Sequence, residues 1–401
     1  MRIGLLVTLL KVEPSSDSGI GLSYRTLADA LAIQGHAVHI VHPTNRPAEV
    51  LAALRDLEPR WTYDVVPALA PRPLRFLARG GPWQRRALVE RFWTGRCANG
   101  PLARACATRN LEVIETHAFA APALFFLRRR RRPPVVSRIS TTTAQMMLSS
   151  GETSRALRWL ARAEMAAANG SDALLTHTAA HREEICRVEG YDSARISLIP
   201  HGLPDPGLAP AEGEKADSPE FLFVGRFEPR KGIDVLLAAI PRVAAACPRA
   251  TFVLAGDTGS GDAWRIFSDD HPDLVPSRVT APGRVSEAEL DRLYRRCSVL
   301  VAPSRYESFG LIYIEAMGRG KPVIGCSAGG IPEVVAQGRN GLLAEPGDPS
   351  TLAECMIRLA ADPRLRSEYG AAGRKEFVAR FSADEFARRS AEFYATVRRR
   401  P

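Results

Sequence analysis

The chain has 401 residues, enough for two domains, and its 45% hydrophobic, 24% charged and 7% aromatic make-up is that of an ordinary globular protein. Its formal net charge of +10 is unevenly spread, with 27 Lys and Arg against 17 Asp and Glu in residues 1–200, and 27 against 27 in residues 201–401. The excess points to an anionic partner or a membrane surface for the first half, or to a solvated basic face. Seven cysteines without a CxxC pair speak against a disulfide framework and for reduced, mostly buried thiols in a cytoplasmic protein.

The opening "MRIGLLVTLL" is too short to cross a bilayer and is followed directly by Lys11 and Glu13. It reads as a buried strand, not as a signal peptide. "LSYRTLADALAIQ" has the spacing of an amphipathic helix, with Gly35 at its end. "HAVHIVHP", "LEVIETH", "PPVVSRIS" and "DALLTHT" are strand-like, whereas residues 43–110 are broken up by prolines and arginines and give no defined elements. "HGLPDPGLAPAEGEKADSP" (201–219) has the Pro, Gly and charge content of a linker. It separates a first domain (1–200) from a second (220–381), with a final helix over 382–401.

Beyond the linker, strands "FLFVG", "ATFVLAG", "SVLVAPS", "PVIG" and "GLLAE" alternate with helices "IDVLLAAIPRVAAA" and "SEAELDRLYRR" and one opening near Phe309-Gly310. Two helices follow from about residue 350, and an amphipathic helix runs from about Ser382 to Arg398. Such alternation marks doubly wound α/β domains.

In such domains ligands sit beyond the carboxyl ends of the strands, and three motifs fall there. "VGRFEPRKG" (224–232) places Arg226 and Lys231 between a strand and a helix, where two cations suit a diphosphate. "RYESFGLIYIEAMGRGKPVIG" (305–325) is mostly apolar yet carries Glu307 and Glu315, and isolated buried carboxylates are costly. Carboxylates accept from hydroxyls, so the pair suits a polyol held at two points. "SAGGIPEVV" adds Gly329-Gly330 before another helix start.

In this order and at these separations the motifs "GRFEPRKG", "SRYESFGLIYIEAMGRGKPVI" and "GGIPEVV…GRNGLL" resemble the retaining nucleotide-sugar glycosyltransferases of family four. The likeness is strong over 196–350 and looser in the first half, where "SDSGIGLSYRTLADALAIQGHAVHIV", "IETH" and "ISLIPHGLPD" fit it. It implies the GT-B fold, two facing Rossmann-like domains with a cleft between them, the last helix packing back toward the first domain. It implies retaining transfer of a hexosyl group from a UDP- or GDP-sugar to a hydroxyl acceptor such as a saccharide, glycolipid or small natural product. By the same resemblance Arg226 and Lys231 hold the donor diphosphate and stabilise the leaving group. Glu307 contacts the donor sugar, with backbone groups of Phe309, Gly310 and Leu311 nearby. Glu315 binds the ribose, Gly19 and Gly21 form a glycine loop facing the donor phosphates or the acceptor, and His117 is the active-site histidine. Gly19-Ile20-Gly21 departs from adjacent glycines, and His201-Gly202 stands for the usual Asn-Gly, so His201 receives no role.

No Asp-x-Asp occurs, so neither a metal clamp nor a cofactor is expected, and the cations with the helix start take over that electrostatic work. The resemblance implies same-face substitution, with the leaving phosphate helping to deprotonate the acceptor and Glu307 positioning the donor. A nucleotide-sugar epimerase, a phosphorylase or a non-catalytic sugar-nucleotide binder on the same fold is the alternative. A dinucleotide dehydrogenase is disfavoured because "GIGLSY" has Tyr24 in place of a third glycine. "FFLRRRRRPP" and "PWQRRALVERFWTGR" mix arginines with Trp83, Phe92 and Trp93, which suits either an anionic lipid surface on the inner face of a membrane or plain solvation. No nucleic-acid module accompanies the charge.

Overall fold

Strand-sized apolar runs alternating with helices give two parallel sheets in the computed structural model, which describes residues 1–12, 19–71, 83–208, 218–259 and 262–399, side chains 83–85, 87, 149 and 150 excepted. Most of the linker region, the Ser16–Ser18 stretch and Pro82 fall outside the described residues. The chain divides into two compact units, Met1–Pro204 with Ala383–Pro401, and Asp205–Ser382.

Among its described residues the first unit has seven strands: β1 (Arg2–Leu6), β2 (Ala37–Thr44), β3 (Thr62–Pro67), β4 (Val113–His117), β5 (Val135–Arg138), β6 (Ala173–Thr176) and β7 (Ile196–Leu198). They run parallel in the order β3-β2-β1-β4-β5-β6-β7, so the order reverses between β1 and β4. Among the described residues its helices are α1 (Gly19–Ile33), α2 (Pro47–Leu57), α3 (Trp83–Arg109), α4 (Thr143–Ser150), α5 (Arg155–Asn169) and α6 (Ala179–Glu189).

The second unit repeats the pattern with six strands among its described residues: β8 (Glu220–Val224), β9 (Thr251–Ala255), β10 (Val279–Gly283), β11 (Val299–Val301), β12 (Val323–Cys326) and β13 (Gly341–Ala344). Their order is β10-β9-β8-β11-β12-β13, with the reversal between β8 and β11. Its helices are α7 (Ile233–Ala246), α8 (Ala263–Asp270), α9 (Glu287–Arg296), α10 (Leu311–Gly318), the short α11 (Ile331–Val334), α12 (Pro349–Ala361) and α13 (Pro363–Glu376). The last helix, α14 (Ala383–Arg398), belongs to the first unit.

What fastens α14 is as much polar as apolar. Phe386, Ala387, Tyr394 and Val397 join the core that holds Ile3, Leu5, Leu27 and Leu31. In that core Arg138 donates to both oxygens of Glu115 (2.8 and 3.1 Å), and the Tyr394 hydroxyl donates to the same carboxylate at 2.6 Å. A buried ion pair tolerates burial only when its remaining hydrogen-bonding capacity is met, and the tyrosine meets part of it.

Among the described residues no helix is long and apolar enough to cross a membrane. Several aromatic residues with described side chains in the two arginine-rich stretches pack against neighbours. Phe126 is buried, Phe92 packs edge-on to Phe125, and Arg91 and Arg128 lie over the Phe119 and Phe125 rings.

Candidate active site

Both sheets reverse order where the motifs fall, and such switch points open a crevice at the carboxyl ends of the strands. In the second unit β8 and β11 flank that point. β8 runs into Gly225-Arg226, and α7 starts after Lys231-Gly232. Gly232 has φ +70°, and a Cβ there would lie 1.9 Å from the Pro303 carbonyl oxygen, so only glycine lets the turn close against the loop after β11. That contact brings the two motifs together.

Lys231 Nζ donates to Glu307 Oε1 at 2.5 Å, and the Ser304 hydroxyl donates to the same oxygen at 3.1 Å. Arg230 stands 3.7 Å from Glu307 Oε2 and is also paired with Glu228 at 2.9 Å. The lysine and glutamate side chains are 18% and 13% exposed, so the pair is shielded but open to a ligand. Arg226 is different, 67% exposed and held only loosely to Glu228 at 3.3 Å. The site thus has one cation set deep and one free to swing.

Gly310 is the N-cap of α10, with Leu311 the first helical residue and Phe309 buried edge-on to Phe381. First-turn amides of a helix lack intrahelical partners, so this end offers donors to an anion. Glu315 lies in the second turn, where Tyr294 of α9 donates to its Oε2 at 2.5 Å. Arg319 stacks on Tyr294 at 5.1 Å, donates to the Glu315 carbonyl at 2.8 Å and pairs with Asp291. The loop "SAGGIPEVV" closes the site from behind, since the Gly330 amide donates to the Glu307 carbonyl at 2.8 Å.

In the first unit the residues at the β1/β4 switch are tied to one another. His117 is 1% exposed. Its Nδ1 lies 2.7 Å from the Phe119 carbonyl, so this nitrogen carries the hydrogen. Nε2 then accepts from the Thr8 amide at 3.2 Å, with the Thr8 hydroxyl 2.9 Å away. Burial pushes the imidazole down to about 4, so it is neutral near pH 7. The expected active-site histidine is therefore, in this structure, a buried tie between the ends of β1 and β4.

Gly19 and Gly21, expected in a glycine loop, lie in the first turn of α1. The reason is close approach: a Cβ on Gly21 would sit 2.1 Å from the Leu9 carbonyl oxygen. The chain after β4 passes through Ala120 and Ala121 with φ +65° and +49°, costly for non-glycine residues. Glu164 holds it there, accepting from the Ala120 amide at 2.8 Å and from the Thr143 amide and hydroxyl at 2.9 and 2.6 Å.

Comparison with known proteins assigns both units. The model described as Glycosyltransferase Family 4 matches residues 18–205, and that described as Glycosyl transferases group 1 matches residues 218–362. The chain belongs among the family-four glycosyltransferases. It is 32% identical to a glycogen synthase of Mycobacterium tuberculosis over 232 residues, 57% of this chain and 55% of the relative. It is 34% identical to a D-inositol 3-phosphate glycosyltransferase of Xylanimonas cellulosilytica over 249 residues, 58% of each. The chain spans about half the length of the curated relatives it matches.

Solved structures match throughout. A sucrose-phosphate synthase of Thermosynechococcus elongatus superposes with TM-score 0.75 at 23% identity over 99% of both chains. HepE of Anabaena, in complex with UDP-glucose, superposes with TM-score 0.67 at 18% identity over 99% of this chain and 100% of that one. The fold is GT-B, with two parallel α/β sheets as the sequence implied.

Three contributors in this family-four chain escaped the sequence reading. Arg230 lies within "PRKG", where nothing local separates it from Arg226 and Lys231, and it stands beside Glu307. Tyr294, on the helix "SEAELDRLYRR", and Glu164, on α5, carry no local signal. Their roles come from tertiary neighbours.

Proposed function

We propose that this chain transfers a hexosyl group, with retention, from a UDP- or GDP-sugar to a hydroxyl acceptor, without a metal clamp. The observation that carries it is the Lys231–Glu307 pair beside Arg226 and Arg230, set at the β8/β11 switch point. Lys231 and Arg226 take the diphosphate and stabilise the charge that grows on the leaving group. Glu307, released from Lys231 as the phosphate arrives, accepts from donor-sugar hydroxyls. Glu315, oriented by Tyr294, accepts from the ribose. The leaving phosphate takes the acceptor proton on the face it departs from. HepE, a structural relative, was solved with UDP and with UDP-glucose, which supports a nucleotide-sugar donor here.

The test incubates the chain with UDP- and GDP-hexoses and candidate acceptors, with and without a chelator. Nucleotide released only when acceptor is present, and a product of unchanged anomeric configuration by NMR, is the expected result. Conversion of the donor sugar without acceptor marks an epimerase instead. Undiminished release in chelator supports the metal-independent reading, and its loss refutes that part.

We also infer peripheral contact with anionic lipid on the cytoplasmic side, from a surface other than the arginine-rich stretches. On α5, Trp159 is 61% exposed between exposed Arg155, Arg158 and Arg162, and Leu148 of α4 is 66% exposed. An apolar ring among arginines suits a headgroup boundary. Co-sedimentation with phosphatidylserine vesicles, lost in Trp159→Ala, tests it; no sedimentation at moderate salt ends the idea.

A further inference from the structure

A second concave site lies at the other end of the second sheet, beside the amino-terminal ends of β11 and β12. It is a cavity of about 990 Å³. Ser298 precedes β11 and Lys321-Pro322 precede β12, while α13 closes the far side. Its wall carries six cationic side chains, Arg295, Arg319, Lys321, Arg366, Arg374 and Lys375, and, among the described residues, no carboxylate.

Several of these cations are fixed from behind. Arg366, 4% exposed, donates to the Leu359 and Ala360 carbonyls at the end of α12, at 2.8 and 3.0 Å. Arg295 and Arg319 share Asp291, and Arg374 pairs with Asp205. Asp291 and Asp205 thus stand behind three of them. Like charges gathered on one concave surface repel, and their field concentrates anions there. Guanidinium groups match phosphate oxygens in geometry as well as in charge. The volume is at the upper end for small-ligand sites, too large for a bare phosphate ion. The mouth carries apolar Leu208 and Val378, which would cover carbon.

We propose that this cavity is an effector site for a compact organic phosphate of the sugar-phosphate class, distinct from the donor site and coupled to it. Arg319 is the link. It faces the cavity, yet it also stacks on Tyr294 and holds the Glu315 carbonyl, the two groups that frame the ribose position. A phosphate drawing Arg319 toward the cavity changes how Tyr294 and Glu315 are held, and so changes nucleotide affinity. By linkage, the nucleotide changes phosphate affinity by the same factor. The coupling rests on the ribose assignment of Glu315; binding in the cavity does not.

The test is titration calorimetry of the full chain with glucose 6-phosphate, with inorganic phosphate as a size control, beside titration with UDP and GDP. Ser367→Glu/Lys375→Glu places two carboxylates on exposed wall positions without touching the donor site. Glucose 6-phosphate should bind the wild type more tightly than inorganic phosphate, and the double variant should lose about tenfold or more in affinity. The variant's own affinity for the nucleotide should stay within about twofold, and glucose 6-phosphate should shift nucleotide affinity by about threefold or more in the wild type only. No saturable binding up to about 10 mM, equal binding by the double variant, or one-for-one displacement by nucleotide overturns the site. Saturable binding with no effect on nucleotide affinity overturns the coupling. If neither nucleotide binds, the donor reading fails while the glucose 6-phosphate titration still decides the cavity.

Discussion

Lys231 Nζ stands 2.5 Å from Glu307 Oε1, so the cation assigned to a phosphate is neutralised by the carboxylate assigned to a sugar. The sequence reading treated the two as separate contacts. On the proposed function, the pairing makes a donor exchange partners with the site: phosphate replaces Glu307 on Lys231, and the freed carboxylate turns to the sugar. The pair keeps either charge from standing alone in a shielded position.

That exchange gives opposite signs for two substitutions. Glu307→Gln leaves Lys231 without competition, so free nucleoside diphosphate should bind a few-fold more tightly, a gain of about 1 kcal/mol, while turnover falls. Lys231→Ala should cut turnover about 10²- to 10³-fold and weaken the nucleotide as well. Calorimetry and initial rates on the two variants check both. Weaker nucleotide binding in Glu307→Gln would refute the exchange.

Glu315 should discriminate ribose from its deoxy analogues. Wild type should prefer the ribonucleotide over the 2′,3′-dideoxy form, and Glu315→Ala should abolish the preference while keeping diphosphate contacts. Tyr294→Phe, which removes the 2.5 Å donor, should weaken the ribonucleotide by about 1 kcal/mol and leave the dideoxy form unchanged. Equal losses for both analogues would mean a packing effect.

Stability should depend on pH through the first unit. His117 is pushed from 6.5 down to about 4, and His39, His42, His177, His181 and His201 are lowered too, each chiefly by burial. Between those values the unfolded chain binds more protons than the native one. Stability is therefore full above about pH 6.5 and falls as pH drops toward 4, His117 alone accounting for about 3 kcal/mol. Glu189, raised to about 7 by burial, acts the other way, stabilising below 4.5 and losing that contribution as pH rises to 7. His117 and His181, both brought down to about 4, together exceed the opposing shift of Glu189. Urea unfolding from pH 7.5 to 4.5 should show this slope, and His117→Gln should flatten it; a flat wild-type profile contradicts the burial argument.

Gly21→Ala should be among the most damaging single-methyl changes in the first unit. The added carbon meets the Leu9 carbonyl at 2.1 Å, backbone that can yield only by moving α1 or the loop after β1. A loss of about 2 kcal/mol or more in urea unfolding is expected, against a gain for glycine-to-alanine in an unhindered helix.

Much of the second unit was legible because its strands are short apolar runs with helical spacing between them. "IDVLLAAIPRVAAA" is α7 to the residue. What escaped has physical reasons. β3 and β10 are partly exposed edge strands that include Pro67 and Pro282, so neither shows a continuous apolar run. The 27-residue α3 contains Gly95, Gly100 and Pro101 and lacks a helical apolar stripe. A Cβ on Gly95 would come 3.2 Å from the Pro122 carbonyl oxygen, a tight tertiary approach that no local rule reveals. In the site, positions at strand ends could be read, but partners could not. That Lys231 meets Glu307, or that His117 spends both nitrogens on Phe119 and Thr8, depends on contacts 76 and 109 residues apart as well as local ones.

The central claim, a nucleotide-sugar site built on Lys231, Glu307 and Glu315, is tested most directly by calorimetric titration of wild type, Lys231→Ala and Glu315→Ala with UDP and GDP. The account predicts saturable binding of at least one nucleotide by the wild type, with a loss of about tenfold or more in each variant. Wild-type affinity in both variants, or no binding of either nucleotide, would contradict it.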